Sequence, residues 1–143
     1  MYYDPAGLDK FVTAQERDYS TALREIQNGR KRSHWIWYIF PQLDGLGFSP
    51  TAQYYGLQDL EQAKDYFAHP VLGPRLVEIS RALLELPGSD PTAVMGYPDD
   101  LKLCSCMTLF ELAAPDQPVF AKVIEKFYGG NRDRLTLELL GMR

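Results

Sequence analysis

The sequence predicts an all-α protein in which about eight short helices form one compact domain over residues 1–143. Apolar residues recur at three- and four-residue steps through most of the chain, and this spacing places side chains on one helical face. Proline and glycine separate these segments at short intervals, as expected of turns between helices. No stretch alternates polar and apolar residues well enough to predict a strand with a partner.

An amphipathic first helix is predicted over residues 7–28, with one apolar face laid over the core. Asn28-Gly29 ends it, because glycine tolerates the left-handed conformation that helix ends often adopt. The basic stretch 30–32 follows, and we interpret it as a solvated patch, with an anion-binding role as the alternative.

The aromatic run at residues 33–42 contains both tryptophans and is the densest apolar stretch of the chain. Since one strand cannot satisfy its own backbone, we interpret the run as a short buried helix that Ser33 caps and that ends near Pro41. Aromatic side chains bury large areas, so this helix should lie in the core. The predicted core residues are Trp35, Ile36, Ile39 and Phe40.

Cap signatures mark several of the remaining helices. Ser49-Pro50 and Asp90-Pro91 each place a capping side chain before a proline at the first helical position. Asp116 is predicted to cap a later helix, and His69 to interact with carbonyls at a helix end. The predicted segments after a glycine loop at 42–49 are 50–56, 59–68, 71–86, a short turn at 90–98, 99–112, 116–128 and 132–140.

Composition and charge exclude several function classes. The net charge of −4 argues against a broad nucleic-acid-binding surface, which needs clustered basic residues. No run approaches the roughly 20 apolar residues of a membrane helix, so we expect a cytoplasmic protein with no membrane partner. Cys104 and Cys106 are two positions apart on a predicted apolar helix, and are predicted to be free, inert core thiols.

No reaction follows from the residues. The chain lacks the phosphate-binding loops and the hydrolase nucleophile elbow. Its two histidines and two cysteines do not stand at metal-ligand spacing. We therefore predict no metal and no cofactor, and the catalytic residues and the oligomeric state stay unassigned.

A polar row on the predicted central helix points to a candidate ligand site. Lys102, Ser105 and Thr108 recur at three-residue steps, and buried polar groups need partners. They can pair internally, for example Lys102 with Asp99, or they can point into an apolar cleft of the kind that binds small molecules. The candidate ligand-binding residues are Trp37, Tyr38, Gln42, Ser49, Tyr55, Lys102 and Ser105.

Two function classes fit this pattern. The first is a cytosolic helical protein that binds, or acts on, a small polar or nucleotide-like ligand in an aromatic-walled cleft. The alternative is a non-catalytic protein–protein interaction module, in which exposed aromatic residues and the first helix form the partner surface. Tyr54 and Tyr55 are adjacent and point about 100° apart on a helix, so one should pack in the core and the other face outward.

Several motifs stand in a fixed order along the chain: SHWIWYIFPQ at 33–42, GLG at 45–47, HPVLGPRL at 69–76, DLKL at 100–103 and MTLF at 107–110. In this the chain resembles a widespread, mainly bacterial family of unknown function that is sometimes labelled calpastatin. The resemblance covers nearly the whole chain and implies a compact all-helical domain, but no reaction. The name calpastatin would imply protease inhibition. That inhibitor class is long and largely disordered, whereas this chain is predicted to be compact and rich in apolar periodicity.

A weaker likeness, over residues 49–76, is to a helical superfamily associated with NAD and ADP-ribose. Its members present a Glu-His-Tyr segment, whereas here Gln53-Tyr54 precedes Tyr55. The acidic residue of that segment is therefore missing.

Overall fold

The structure, a computed structural model, describes residue 4 and residues 6–142. Within these residues it has nine α-helices and no strand, which confirms the all-α prediction. A single isolated bridge pairs Leu43 with Leu57 across the glycine loop. The helices are α1 (Asp9–Gln27), α2 (Ile36–Ile39), α3 (Pro50–Tyr55), α4 (Leu60–Ala68), α5 (Leu72–Leu84), α6 (Pro91–Met95), α7 (Asp99–Ala113), α8 (Val119–Tyr128) and α9 (Arg134–Leu139).

Helix α7 lies at the centre of the fold. Helices α2, α4, α6, α8 and α9 pack against it, and every residue from 103 to 110 is buried. A helix that is apolar on nearly all sides can be stable only inside a core, which explains why the neighbours surround it. Both cysteines of α7 are free and buried, as the sequence predicts.

The aromatic run forms the short helix α2, and its predicted core residues are all buried, at 1 % exposure or less. The prediction that Ser33 caps this helix is wrong. The N-cap residue is Trp35, and no side chain caps the helix. The Ser33 hydroxyl instead donates to the carboxylate of Glu25 on α1, at 2.6 Å. Ser33 therefore pairs with another helix and does not cap α2.

The predicted caps Ser49 and Asp90 form, whereas the helix-end roles predicted for Asp116 and His69 are wrong. The Ser49 side chain accepts a hydrogen bond from the first turn of α3, and Asp90 does the same for α6. Asp116 caps no helix, because α8 starts after Pro118. Nδ1 of His69 accepts hydrogen bonds from backbone N–H groups at the start of α5. The predicted interaction of His69 with carbonyls at a helix end is therefore replaced by one with backbone donors.

Helix α5 approaches α4 closely at Gly73. A Cβ atom at this position would lie 2.0 Å from the backbone oxygen of Phe67, which no side chain can tolerate without a backbone shift. Gly88 provides a matched contrast, because a Cβ there would meet nothing within 4 Å.

We predict that Gly73→Ala destabilises the protein by about 3 kcal/mol, because overpacking against backbone cannot relax. Gly88→Ala should change the free energy of unfolding by less than about 1 kcal/mol, since alanine mainly restricts the unfolded chain. Urea unfolding of the two variants measures the difference. Equal effects of the two substitutions would show that α4 and α5 do not approach this closely.

Candidate functional site

A cluster of two lysines and one aspartate lies where the turn after α1 meets the start of α7. Asp99 binds the ammonium group of Lys31 at 2.8 Å and that of Lys102 at 3.0 Å. Each ammonium group also lies near an indole ring, Lys31 at 5.0 Å from Trp35 and Lys102 at 5.1 Å from Trp37. Such cation–π contacts strengthen as water is removed. We call Lys31, Asp99 and Lys102 the Lys–Asp–Lys cluster.

The cluster is largely shielded from water and carries one excess positive charge. The side chain of Lys31 is 6 % exposed and that of Lys102 is 24 % exposed. Burial by itself would raise the pKa of Asp99, but the hydrogen bonds from the two lysines outweigh it and lower that pKa. The predicted solvated patch is therefore wrong for Lys31, although Arg30 and Arg32 are exposed.

Glu25 of α1 holds the turn that carries Lys31. Its carboxylate accepts hydrogen bonds from the backbone N–H groups of Arg32 and Ser33, at 2.8 and 3.0 Å. It also accepts from the indole Nε1 of Trp35, at 2.9 Å. Sequence reasoning missed Glu25, although it stands three residues after Ala22 on the buried side of α1, where an acidic residue needs partners.

The polar row on α7 is satisfied internally. The hydroxyl of Ser105 donates to the backbone oxygen of Leu101, at 3.1 Å, as serine often does inside helices. The hydroxyl oxygen of Thr108 accepts the backbone N–H of Asp133, at 2.9 Å. Of the three residues, Lys102 has the charged and partly exposed group.

Two of the predicted aromatic residues face a different part of the molecule. The ring of Tyr38 lies 5.2 Å from that of Tyr55. The hydroxyl of Tyr38 donates a hydrogen bond to the carboxylate of Asp18 on α1. Trp37 and Tyr38 are adjacent on α2 and point about 100° apart, which separates this group from the Lys–Asp–Lys cluster. Tyr54 is 58 % exposed whereas Tyr55 packs on the core, as predicted for this pair.

The remaining predicted residues belong to the glycine loop. Gln42 is buried, and its backbone oxygen accepts the N–H of Leu57 at 2.9 Å. The hydroxyl of Ser49 accepts the N–H of Ala52 at 3.1 Å and so caps α3. The loop turns tightly here, since a Cβ at Gly47 would lie 2.8 Å from that of Ala52. The structure thus brings Trp37 to Lys102 and Tyr38 to Tyr55, and places Gln42 and Ser49 on the loop.

The geometry also bears on metals and membranes. Among residue 4 and residues 6–142, no group of three or more His, Cys, Asp or Glu side chains could hold a metal ion. No helix in the part of the chain that the structure describes is long and apolar enough to cross a membrane.

A family model described as "Protein of unknown function (DUF1810)" matches residues 5–140. The chain belongs to the DUF1810 family. It is also 46 % identical to a solved structure, that of the conserved hypothetical protein Rv1873 from Mycobacterium tuberculosis. The match covers 98 % of this chain and 100 % of that chain, with a TM-score of 0.95. A search of curated proteins found no match.

Membership of the DUF1810 family confirms the resemblance to a helical family of unknown function. It gives no support to the name calpastatin, which neither the family description nor the description of the solved structure contains.

We predict that Asp99→Asn destabilises this DUF1810 protein by about 3 kcal/mol at pH 7. The substitution leaves the buried ammonium group of Lys31 without its charge partner, and breaking a buried pair costs far more than losing a surface pair. Asp116→Asn is the matched control, because Asp116 is exposed. Chemical denaturation of both variants checks this, and indistinguishable unfolding midpoints would refute a buried role for Asp99.

Proposed function

We propose that the protein binds a small anionic, nucleotide-like ligand beside Trp37 and Lys102. The observation that carries this proposal is the shared carboxylate of Asp99, which leaves one of two neighbouring positive charges without a charge partner in the Lys–Asp–Lys cluster. A partly buried cation next to an aromatic ring is a favourable place for an anion with a flat apolar portion.

Lys102 is the lysine suited to bind the anion. Its side chain is four times as exposed as that of Lys31, 24 % against 6 %. An ammonium group has three N–H donors, and the bond to Asp99 at 3.0 Å uses one of them. Lys31 also donates to the backbone oxygen of Ser33, so its donors are more fully used.

Trp37 supplies the aromatic wall. It lies on α2, packs against the core and is only partly buried. Because α2 and α7 pack together, the Trp37 ring and the Lys102 ammonium group are held 5.1 Å apart. A ligand that stacks on the ring can therefore reach the ammonium group with a phosphate or carboxylate.

We propose binding and no reaction. The two thiols are the strongest nucleophiles that the sequence offers, and both are buried in α7. Burial raises the pKa of both, to about 11 for Cys104, which disfavours the reactive thiolate.

Thermal unfolding in the presence of nucleotides, ADP-ribose derivatives and small carboxylic acids tests the proposal. A ligand at about 100 times its Kd should stabilise the protein by about 2.7 kcal/mol. We expect Lys102→Ala to abolish this stabilisation and Trp37→Leu to weaken it more for nucleotides than for small acids. Lys64→Ala, at an exposed lysine of α4, is the matched control and should keep the full response.

The proposal fails if no class of ligand stabilises the protein. It also fails if Lys102→Ala keeps the response of the unaltered chain. A lower melting temperature of the unliganded variant is accounted for by comparing each variant with and without ligand.

A non-catalytic interaction module is the second candidate function. Large aromatic rings at the surface favour it, since Phe48 is 83 % exposed and Tyr54 is 58 % exposed. Lys10 of the first helix lies 4.8 Å from the ring of Tyr54, so α1 borders the Tyr54 ring. A screen in which no small molecule stabilises the protein favours this alternative.

A further inference from the structure

Two adjoining cavities flank α6, where the turn after α1 packs against it. The backbone N–H of Lys31 donates to the oxygen of Val94, at 2.7 Å, and fixes this packing. One cavity, of about 440 Å³, is lined by residues that include Arg30, Lys31 and Thr92. The other, of about 200 Å³, is lined by residues that include Leu86, Pro87 and Gly29. Ala93 and Val94 line both cavities, so the same two residues of α6 border both spaces.

The larger cavity has a basic wall. Arg30 is exposed, and among the residues that the structure describes no carboxylate lies within ion-pair distance of its guanidinium. The fork of N–H groups on an arginine binds a carboxylate through two parallel hydrogen bonds. The guanidinium is therefore free to bind an anion from solution through its N–H groups.

The acidic groups near the cavities are already engaged. Asp90 lines the smaller cavity, and its carboxylate accepts the backbone N–H groups of Thr92 and Ala93, at 3.0 and 3.3 Å. The carboxylate of Asp100 accepts a hydrogen bond from the hydroxyl of Thr92, at 2.7 Å. These hydrogen bonds direct both carboxylates towards α6, which lessens their competition for Arg30.

The smaller cavity is apolar. Its side-chain lining comes mainly from Leu86, Pro87, Ala93 and Val94, and moving methylene groups from water into such a hollow is favourable. At about 200 Å³ it suits a short aliphatic chain better than a folded segment of protein.

We propose that the two cavities form one site for a small amphipathic carboxylate. The aliphatic part lies against Leu86 and Val94, and the carboxylate binds Arg30. The site is separate from the proposed ligand site at Trp37 and Lys102. Lys31 lines the larger cavity, but its ammonium group is directed to Asp99, at 2.8 Å.

Isothermal titration with hexanoate, hexanol and acetate tests this site, because hexanol lacks the charge and acetate lacks the chain. We expect hexanoate to bind the unaltered protein more tightly than either analogue. Arg30→Ala should weaken hexanoate binding about tenfold, the loss of one good charge-assisted contact. Arg32→Ala, at the exposed neighbour, is the matched control and should leave binding unchanged.

A second variant tests the apolar part. Ala93 is exposed and lines both cavities, so Ala93→Trp should fill them and abolish hexanoate binding while circular dichroism shows an intact helical fold. Lys102→Ala should not alter hexanoate binding, which separates this site from the proposed function. The proposal is overturned if hexanoate does not bind, if Arg30→Ala binds it unchanged, or if hexanol or acetate binds as tightly as hexanoate.

Discussion

The carboxylate of Glu25 is the acceptor on which the middle of the structure depends. It gathers two backbone N–H groups, the hydroxyl of Ser33 and the indole N–H of Trp35. Glu25 as a residue is 8 % exposed, and a buried carboxylate is tolerated only when such donors replace water. The turn between α1 and α2 is therefore fixed by one side chain of α1, and the largest fully buried side chain, that of Trp35, is fixed with it.

From this turn the constraint reaches α7 and the candidate site. Lys31, in the turn, binds the carboxylate of Asp99 at the start of α7. Lys102 binds the same carboxylate and also contacts the ring of Trp37 on α2. The two indoles and the two ammonium groups thus join α1, α2 and α7. If the turn were not held, the excess positive charge would not lie beside the ring of Trp37.

The features that could be predicted from the sequence are local ones. Apolar spacing predicts α1 within two residues at its start and one at its end, because periodicity depends only on neighbours along the chain. The caps at Ser49 and Asp90 form for the same reason. Ser33 has the same side chain as Ser49 but pairs with Glu25 on another element, and no local pattern contains that information. Likewise Lys102 could be paired with Asp99 from their spacing, whereas the contribution of Lys31 depends on the tertiary fold.

The pH dependence of stability tests the role of Glu25 most directly. Burial by itself would raise the pKa of this carboxyl, but hydrogen bonds from Ser33, Arg32 and Trp35 outweigh it and lower the pKa from 4.5 to about 2. Because the folded-state pKa lies below the unfolded one, Glu25 stabilises the fold above about pH 4.5, and this contribution is lost as the pH falls towards about 2. The unfolding free energy of the unaltered protein should fall by about 3 kcal/mol more than that of Glu25→Gln over this range. Parallel pH profiles of the two proteins would contradict the account.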